Sequence, residues 1–277
     1  MKPLWAIPIV LLLAGASSAQ ERRPSHCIAL VENTPGLEVI WRAALSDPVP
    51  SDTVRLSYID HSMYLIQTPG GLDVVTDYNG HPGGGVLVPD VVTMNHAHSS
   101  HWTANPDPAI LHVLEGWGEF DAPAAHHLDL GEMLVRNVTT DIRSRFGGGA
   151  ERDGNSIFIF EVAGLCLGHL GHLHHEPTPE QYAAIGRLDV VMAPIDGGMT
   201  LPLPAMIRVL QTFQSSLVLP MHYFSTTSLA AFLSGMEEEF LIERRSEGSI
   251  EVSLRTLPSR PTIVVLQRAY LWSDDGD

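Results

Sequence analysis

The chain of 277 residues reads as an α/β protein, and three features of the sequence carry that expectation. Short apolar runs bounded by Gly, Pro, Asn and Asp recur from Val54 to Leu165, at strand length rather than helix length. From Pro179 onward, helical stretches alternate with buried strands. Residues that bind metals or orient their ligands stand where the expected strands end, which is where α/β sheets tend to place their sites.

The chain opens with Lys2, an apolar run from Leu4 to Leu13, and Ser17-Ser18-Ala19 before Gln20. That is the form of a secretory signal peptide, so residues 1–19 should be removed and 277 − 19 = 258 should remain. The apolar run is short for a membrane span, and the mature protein is expected in the periplasm or outside the cell. Residues 20–50, with several prolines and little periodicity, read as a lead-in; residues 51–267 read as one domain and 268–277 as a tail.

Strands are expected at Val54 to Tyr58, Met63 to Thr68 and Leu72 to Thr76, the last two joined by Pro69-Gly70-Gly71. Asp77 then either fixes a loop or orients a ligand histidine, and His61 alone reads more readily as a satisfied polar residue than as a ligand. Val91 to Met94 is a buried strand leading into His96, His98 and His101. Residues two apart project to one side of extended chain, so His96 and His98 should meet at one point and His101 should serve a neighbouring one. Ile110 to Leu114 should be a strand with a structural His112, followed by a polar connection holding His126 and His127. Gly131 to Val138 delivers Asp141 at its end; Gly147-Gly148-Gly149 marks a turn, and Asn155 to Val162 pairs with Leu165 to Gly168. There the chain reaches Gly168-His169-Leu170-Gly171-His172-Leu173-His174-His175, with His169 favoured as a ligand and His174 and His175 as solvated loop. Helices follow at Pro179 to Leu188, Leu203 to Phe213 and Ser228 to Glu243, interleaved with strands at Asp189 to Ala193 and Leu217 to Leu219, the latter ending near His222. Ile250 to Leu254 and Thr262 to Leu266 close the fold, and the acidic Ser273 to Asp277 should fray.

Composition narrows the chemistry. Lys2 is the only lysine, which excludes Schiff-base catalysis and a phosphate-loop lysine in the mature chain. A formal charge of −16 argues against nucleic acid or an anionic membrane as partner. No Gly-x-Ser-x-Gly elbow occurs, and neither Cys27 nor Cys166 lies in an electropositive setting, so a protein nucleophile is poorly supported. Cys166, inside an apolar run, reads as simply buried rather than bridged to Cys27. Metal-activated water remains, because a zinc-like ion brings the pKa of water to about 7 and polarises a carbonyl or phosphoryl oxygen.

Tyr58-Ile59-Asp60-His61-Ser62, Val74-Val75-Thr76-Asp77, His96-Ala97-His98-Ser99-Ser100-His101, Gly168-His169-Leu170-Gly171-His172, Val190 to Gly198 and Leu219-Pro220-Met221-His222-Tyr223 together resemble the metallo-β-lactamase superfamily. The nearest branch is that of ascorbate-6-phosphate lactonase-like and N-acylphosphatidylethanolamine phospholipase D-like hydrolases. The resemblance implies a four-layer αββα sandwich with its site at one edge between two sheets. Three positions depart from the family pattern His-x-His-x-Asp-His and its later Gly-Asp and histidine. Ser100 stands for the Asp, His169 follows Gly168 in place of Asp, and Asp141 stands near the expected histidine. A first site would then use His96, His98, Asp141 and His169, and a second would keep only His101 and His222, which can hold water or substrate beside the ion. The expected protein is an exported metal-dependent hydrolase of an ester, lactone or phosphodiester small molecule, with about one tight Zn2+ or similar ion per chain. The competing expectation is a non-catalytic metal- or ligand-binding protein on the same scaffold.

Overall fold

The structure is a computed structural model that describes residues 23–28, 47–83, 87–96, 98–118, 122–143 and 149–269. The signal-peptide residues, Gly147, Gly148 and Ser273 to Asp277 lie outside the described residues. Two mixed sheets face each other. The first contains β1 (Val54–Asp60), β2 (Met63–Gln67), β3 (Asp73–Val75), β4 (Val91–Met94), β5 (His112–Glu115) and, from late in the chain, β13 (Ser249–Val252). The second contains β6 (His127–Asp129), β7 (Met133–Arg143), β8 (Ala150–Val162), β9 (Leu165–His169), β10 (Val190–Pro194), β11 (Leu217–Met221), β12 (Leu241–Arg244) and β14 (Thr262–Val265). Spatial order is β13-β1-β2-β3-β4-β5 in one and β12-β14-β11-β10-β9-β8-β7-β6 in the other. Pairing switches from antiparallel to parallel at β3 in the first sheet and at β9 in the second.

Strand alternation sorts the side chains into layers. Leu56, Tyr58, Tyr64, Ile66, Val74 and Val91 face Phe158, Phe160, Leu167, Met192 and Leu219 across the gap, forming the inter-sheet core. On the outer face of the second sheet, Ile159, Cys166, Val191, Val218 and Ile263 pack against helices α1 (Pro179–Ile185), α2 (Leu203–Phe213) and α3 (Thr226–Met236). These helices begin where the sequence supplies caps: Thr178 and Gln181 form a capping box on α1, and Ser225 accepts from the Ser228 amide on α3. Full burial of one such aliphatic side chain contributes about 1.5–3 kcal/mol. The outer face of the first sheet is covered, among the described residues, by chain between 77 and 118, where Tyr78, Ile110, Trp102 and Trp117 lie on Ile59, Leu65, Val92 and Met94. None of the described helices is long and apolar enough to cross a membrane.

Three expectations are corrected. The helix proposed for Ser228 to Glu243 ends at Met236, because Leu241 to Arg244 pair with Thr262 to Val265 as β12. The strand expected to stop at Val138 runs on to Arg143, with a bulge at Asp141 between Thr140 and Ile142. His127 begins an edge strand, and His126 bonds the Glu115 carbonyl.

Cys166 is buried as expected, yet it is also bridged: Cys27 and Cys166 form a disulfide with Cα atoms 5.8 Å apart. The bridge holds residues 23–28 against the helix side of the second sheet. Around it, Glu161 accepts from Arg136 Nε at 2.7 Å and from the His26 amide at 2.9 Å. Arg136 also donates to the Ala184 and Ile185 carbonyls at the end of α1, so one buried guanidinium ties two strands, a helix end and the N-terminal segment together.

Candidate metal centre

Four histidines converge at one end of the sandwich. His61 lies in the turn between β1 and β2, His98 and His101 follow β4, and His222 follows β11. Each offers one ring nitrogen, and the four nitrogens all lie within 4.8 Å of one another. Ring centroids are 4.1 Å apart for His61 and His222, 4.6 Å for His98 and His101, and 5.1 Å for His101 and His222. The four histidines therefore come from both sheets.

Local backbone explains why these side chains meet. His61, Asp77 and His222 adopt left-handed φ values of 51°, 45° and 51°, a costly conformation for residues with a Cβ. Each is held in place by its surroundings. The His222 amide donates to the His61 carbonyl at 2.7 Å, and Tyr58 Oη donates to the same oxygen at 2.9 Å. After β4 the chain closes a small loop, with the His101 amide donating to the His98 carbonyl and the Asn95 amide to the His101 carbonyl. Buried Asn95 bonds Asp77 Oδ1 at 2.7 Å and the Ser156 amide at 2.7 Å, pinning that loop to the second sheet.

The surrounding groups decide which nitrogen of each ring is available. His101 Nδ1 lies 2.6 Å from Asp77 Oδ2, and a carboxylate accepts, so the proton sits on Nδ1 and the lone pair on Nε2. That Nε2 is buried with no partner. His222 is likewise buried, with no hydrogen-bond partner on either nitrogen; its Nδ1 faces Asp196 Oδ1 at 3.4 Å, off the bonding direction. Ser100 Oγ lies 2.7 Å from His98 Nδ1 and 3.0 Å from His61 Nε2. Burial would raise the Asp77 carboxyl, but His101, His169 and the bonds from His101 and Asn95 outweigh it and keep Asp77 ionised. Burial lowers the pKa of His101, with Asp77 opposing, and also lowers that of His61 to about 3, helped by His222 and His101. These are neutral imidazoles, the state in which histidine binds metal. Buried lone pairs without partners, aimed at one point and backed by a carboxylate, are what a divalent ion would satisfy.

Of the ligands expected from sequence, the structure brings His98, His101 and His222 together, adds His61, and leaves His96, Asp141 and His169 outside this group. His96 diverges from His98 because the chain turns after Met94 instead of staying extended. Its Nδ1 meets Glu151 at 3.0 Å and its ring packs against both Trp102 and Trp117, with centroids 5.5 and 5.0 Å away. Asp141 sits at the strand bulge and accepts from the Asp153 amide at 3.0 Å, fixing the β7–β8 hairpin. His169 is fully buried with both nitrogens engaged: Nε2–H donates to the Ser62 carbonyl at 2.8 Å and Nδ1 accepts from the Gly171 amide at 3.2 Å. With both ring nitrogens engaged, it ties the two sheets beside His61. In the sequence His61 stands alone between two strands; only the tertiary fold brings it beside His98, His101 and His222. His172 also packs against the cluster, with ring centroids 4.7–4.8 Å from His98, His101 and His222.

A family model described as "Beta-lactamase superfamily domain" matches residues 55–222, more than half of the chain and every histidine of the cluster. The chain belongs to the metallo-β-lactamase superfamily. Two solved structures share the metallo-β-lactamase fold over most of their length. A candidate Zn-dependent hydrolase of the metallo-β-lactamase superfamily from Thermotoga maritima is 23% identical with a TM-score of 0.57, over 78% of this chain and 100% of that one. A candidate metal-dependent hydrolase from Parabacteroides distasonis is 11% identical with a TM-score of 0.54, over 78% and 94%. At these identities the likeness bears on the fold. No curated protein matches the chain. The two sheets and the helices on the second sheet are those of a metallo-β-lactamase fold, with the histidine cluster as its candidate divalent-metal site.

Proposed function

We propose that the protein is an exported metal-dependent hydrolase acting on an ester, lactone or phosphodiester small molecule. His61, His98, His101 and His222 hold about one zinc-like ion per chain. The observation that carries this is the pair of buried, unpartnered Nε2 atoms of His101 and His222 inside a group of four imidazoles. When bound, the ion supplies activated water and polarises the substrate oxygen under attack. Asp77 keeps His101 in the Nδ1–H tautomer and directs its lone pair inward. Ser100, standing where the superfamily has a carboxylate, accepts from His98 Nδ1–H and so orients a ligand instead of being one. Phe224, 61% exposed and 5.3–5.4 Å from the His222 and His61 rings, gives the substrate an apolar wall at the mouth. Export is supported by the Cys27–Cys166 disulfide, since such bridges persist in oxidising compartments, together with the Lys2 to Ala19 pattern.

The test is turnover of an aryl ester, a lactone and a bis-aryl phosphodiester by zinc-loaded protein, with elemental analysis of the same sample. His101→Ala and His222→Ala should lose both ion and turnover. Turnover that survives either substitution, or two tightly held ions in the wild type, would contradict the assignment. The second reading, a non-catalytic metal-binding protein, is favoured by one feature: four protein imidazoles can close a coordination shell that catalysis needs open. Stoichiometric ion with no turnover on all three substrate classes would support it.

A further inference from the structure

His172 packs against the cluster yet is not one of the four converging ligands, and a chain of hydrogen bonds behind it explains why. The Arg143 main-chain amide lies 2.6 Å from His174 Nδ1. An amide N–H can only donate, so His174 Nδ1 accepts and the proton of His174 sits on Nε2. That Nε2 is 2.7 Å from His172 Nδ1, which must accept in turn, leaving the His172 proton on its own Nε2. His172 Nε2 faces His98 Nε2 at 3.1 Å, so His98 accepts there and carries its proton on Nδ1, toward Ser100 Oγ. Every ring in the series donates once and accepts once, and the fixed amide at one end sets the direction of all of them.

We propose that His172 is locked as a one-way hydrogen-bond donor to an anionic oxygen of the ligand bound at the cluster, with His174 the positioning residue that sets its tautomer. This rests on the metal-dependent reading of the cluster. A metal ligand must present a lone pair, and His172 presents an N–H. Once the His98 Nε2 lone pair is engaged by an ion, the His172 N–H loses its acceptor while remaining buried and aimed at the cluster. A buried donor in that position calls for an oxygen, and carboxylate or phosphate oxygen is the strongest acceptor available to it. Asn155 fixes the approach by accepting from the His172 amide at 2.7 Å, and Gly171, with φ of +59°, lets the chain pass close to Asn155 and Asn95.

The tautomers can be measured directly on metal-free protein with 15N-labelled histidine, through two-bond 15N–1H correlations of the ring nitrogens. His172 and His174 should both be Nε2–H tautomers and His98 Nδ1–H; a His172 in the Nδ1–H form overturns the proposal. His174→Leu should release His172 into a mixture of tautomers, and a His172 still purely Nε2–H in that variant would remove His174 from the positioning role. In the zinc-loaded protein, His172→Phe should leave zinc content unchanged and weaken inorganic phosphate binding by about ten- to a hundredfold, the worth of a hydrogen bond to a charged group. Loss of zinc in that variant, unchanged phosphate affinity, or a wild type that binds no phosphate would each overturn it. Because the tautomer measurement needs neither metal nor turnover, its failure is distinct from failure of the hydrolase reading, which would appear as zinc and phosphate bound without hydrolysis.

Discussion

Removing the Cys27–Cys166 bridge should cost this protein much of its stability. The two residues are 139 apart in sequence, and cross-linking a loop of that length lowers the entropy of the unfolded chain by about 5 kcal/mol at 25 °C in the chain-entropy model. For a domain of 150–250 residues, a loss of that size lowers Tm by roughly 10–20 °C. The double variant Cys27→Ala with Cys166→Ala, and separately the wild type in strong reductant, should both show it by calorimetry or circular dichroism. These are the only cysteines in the sequence, so thiol titration of unreduced, denatured wild type should find none free. The bridge lies on the helix side of the second sheet, away from the histidine cluster, so metal content of the folded variant should be unchanged. A Tm shift below about 2 °C would refute the reasoning, since the loop-entropy effect predicts several times that. It would mean that residues 23–28 detach without the rest of the fold, despite the Glu161 and Arg187 contacts that hold them.

Three further outcomes follow from the buried charges. Asp77→Asn should weaken the ion's affinity by about ten- to a hundredfold, measured by chelator competition, because the acceptor behind His101 loses its charge; unchanged affinity would show that His101 is not a ligand. Arg136→Met should destabilise by about 3–5 kcal/mol in urea unfolding, because it leaves the Glu161 carboxylate buried without its guanidinium; a cost below about 1 kcal/mol would mean Glu161 takes up a proton or is solvated. In metal-free protein, burial lowers His61 to about 3 and His174 to about 4 from the ordinary 6.5. The unfolded chain therefore binds more protons below pH 6.5, so stability should be level above that value and fall as pH drops through 6.5 toward 4 and then 3. A urea midpoint that rises on acidification across that window would contradict it.

Where sequence pattern and structure agree, local pattern and tertiary need coincide. Val91 to Met94 is a strand because three apolar residues and the β-branched Thr93 sit between Pro89-Asp90 and a polar loop, and both faces of it are buried. Leu203 to Phe213 is a helix with the expected bounds because prolines open it and Gln214 ends it in a left-handed cap. Departures fall where pairing overrides pattern: Leu241 and Ile242 continue an amphipathic helix on paper, but they complete the parallel edge of the second, mixed sheet in the fold. At the site, residue types were legible and partners were not. Two-residue alternation put His96 beside His98, though the backbone had already left the extended conformation that makes alternation hold. His169 had the right residue type and place for a ligand, and only its bonds to Ser62 and Gly171 reveal that one ring nitrogen carries a donated proton and the other's lone pair is already engaged. Cys27 lies too far from Cys166 along the chain for spacing to suggest the bridge.

The His222 amide that donates to the His61 carbonyl joins the end of β11 in the second sheet to the β1–β2 turn of the first. An ion held by the same two residues would act as a second fastener at the same seam. Occupancy would then be written into the slow opening of the whole sandwich: amides deep in β1, β2, β10 and β11 should exchange with deuterium together, and more slowly, as the ion is added, while those of the α2–α3 layer should respond less. By linkage, an ion present at a hundred times its dissociation constant slows such global opening by about a hundredfold, so exchange alone, with no substrate in hand, can report how tightly this protein holds its metal.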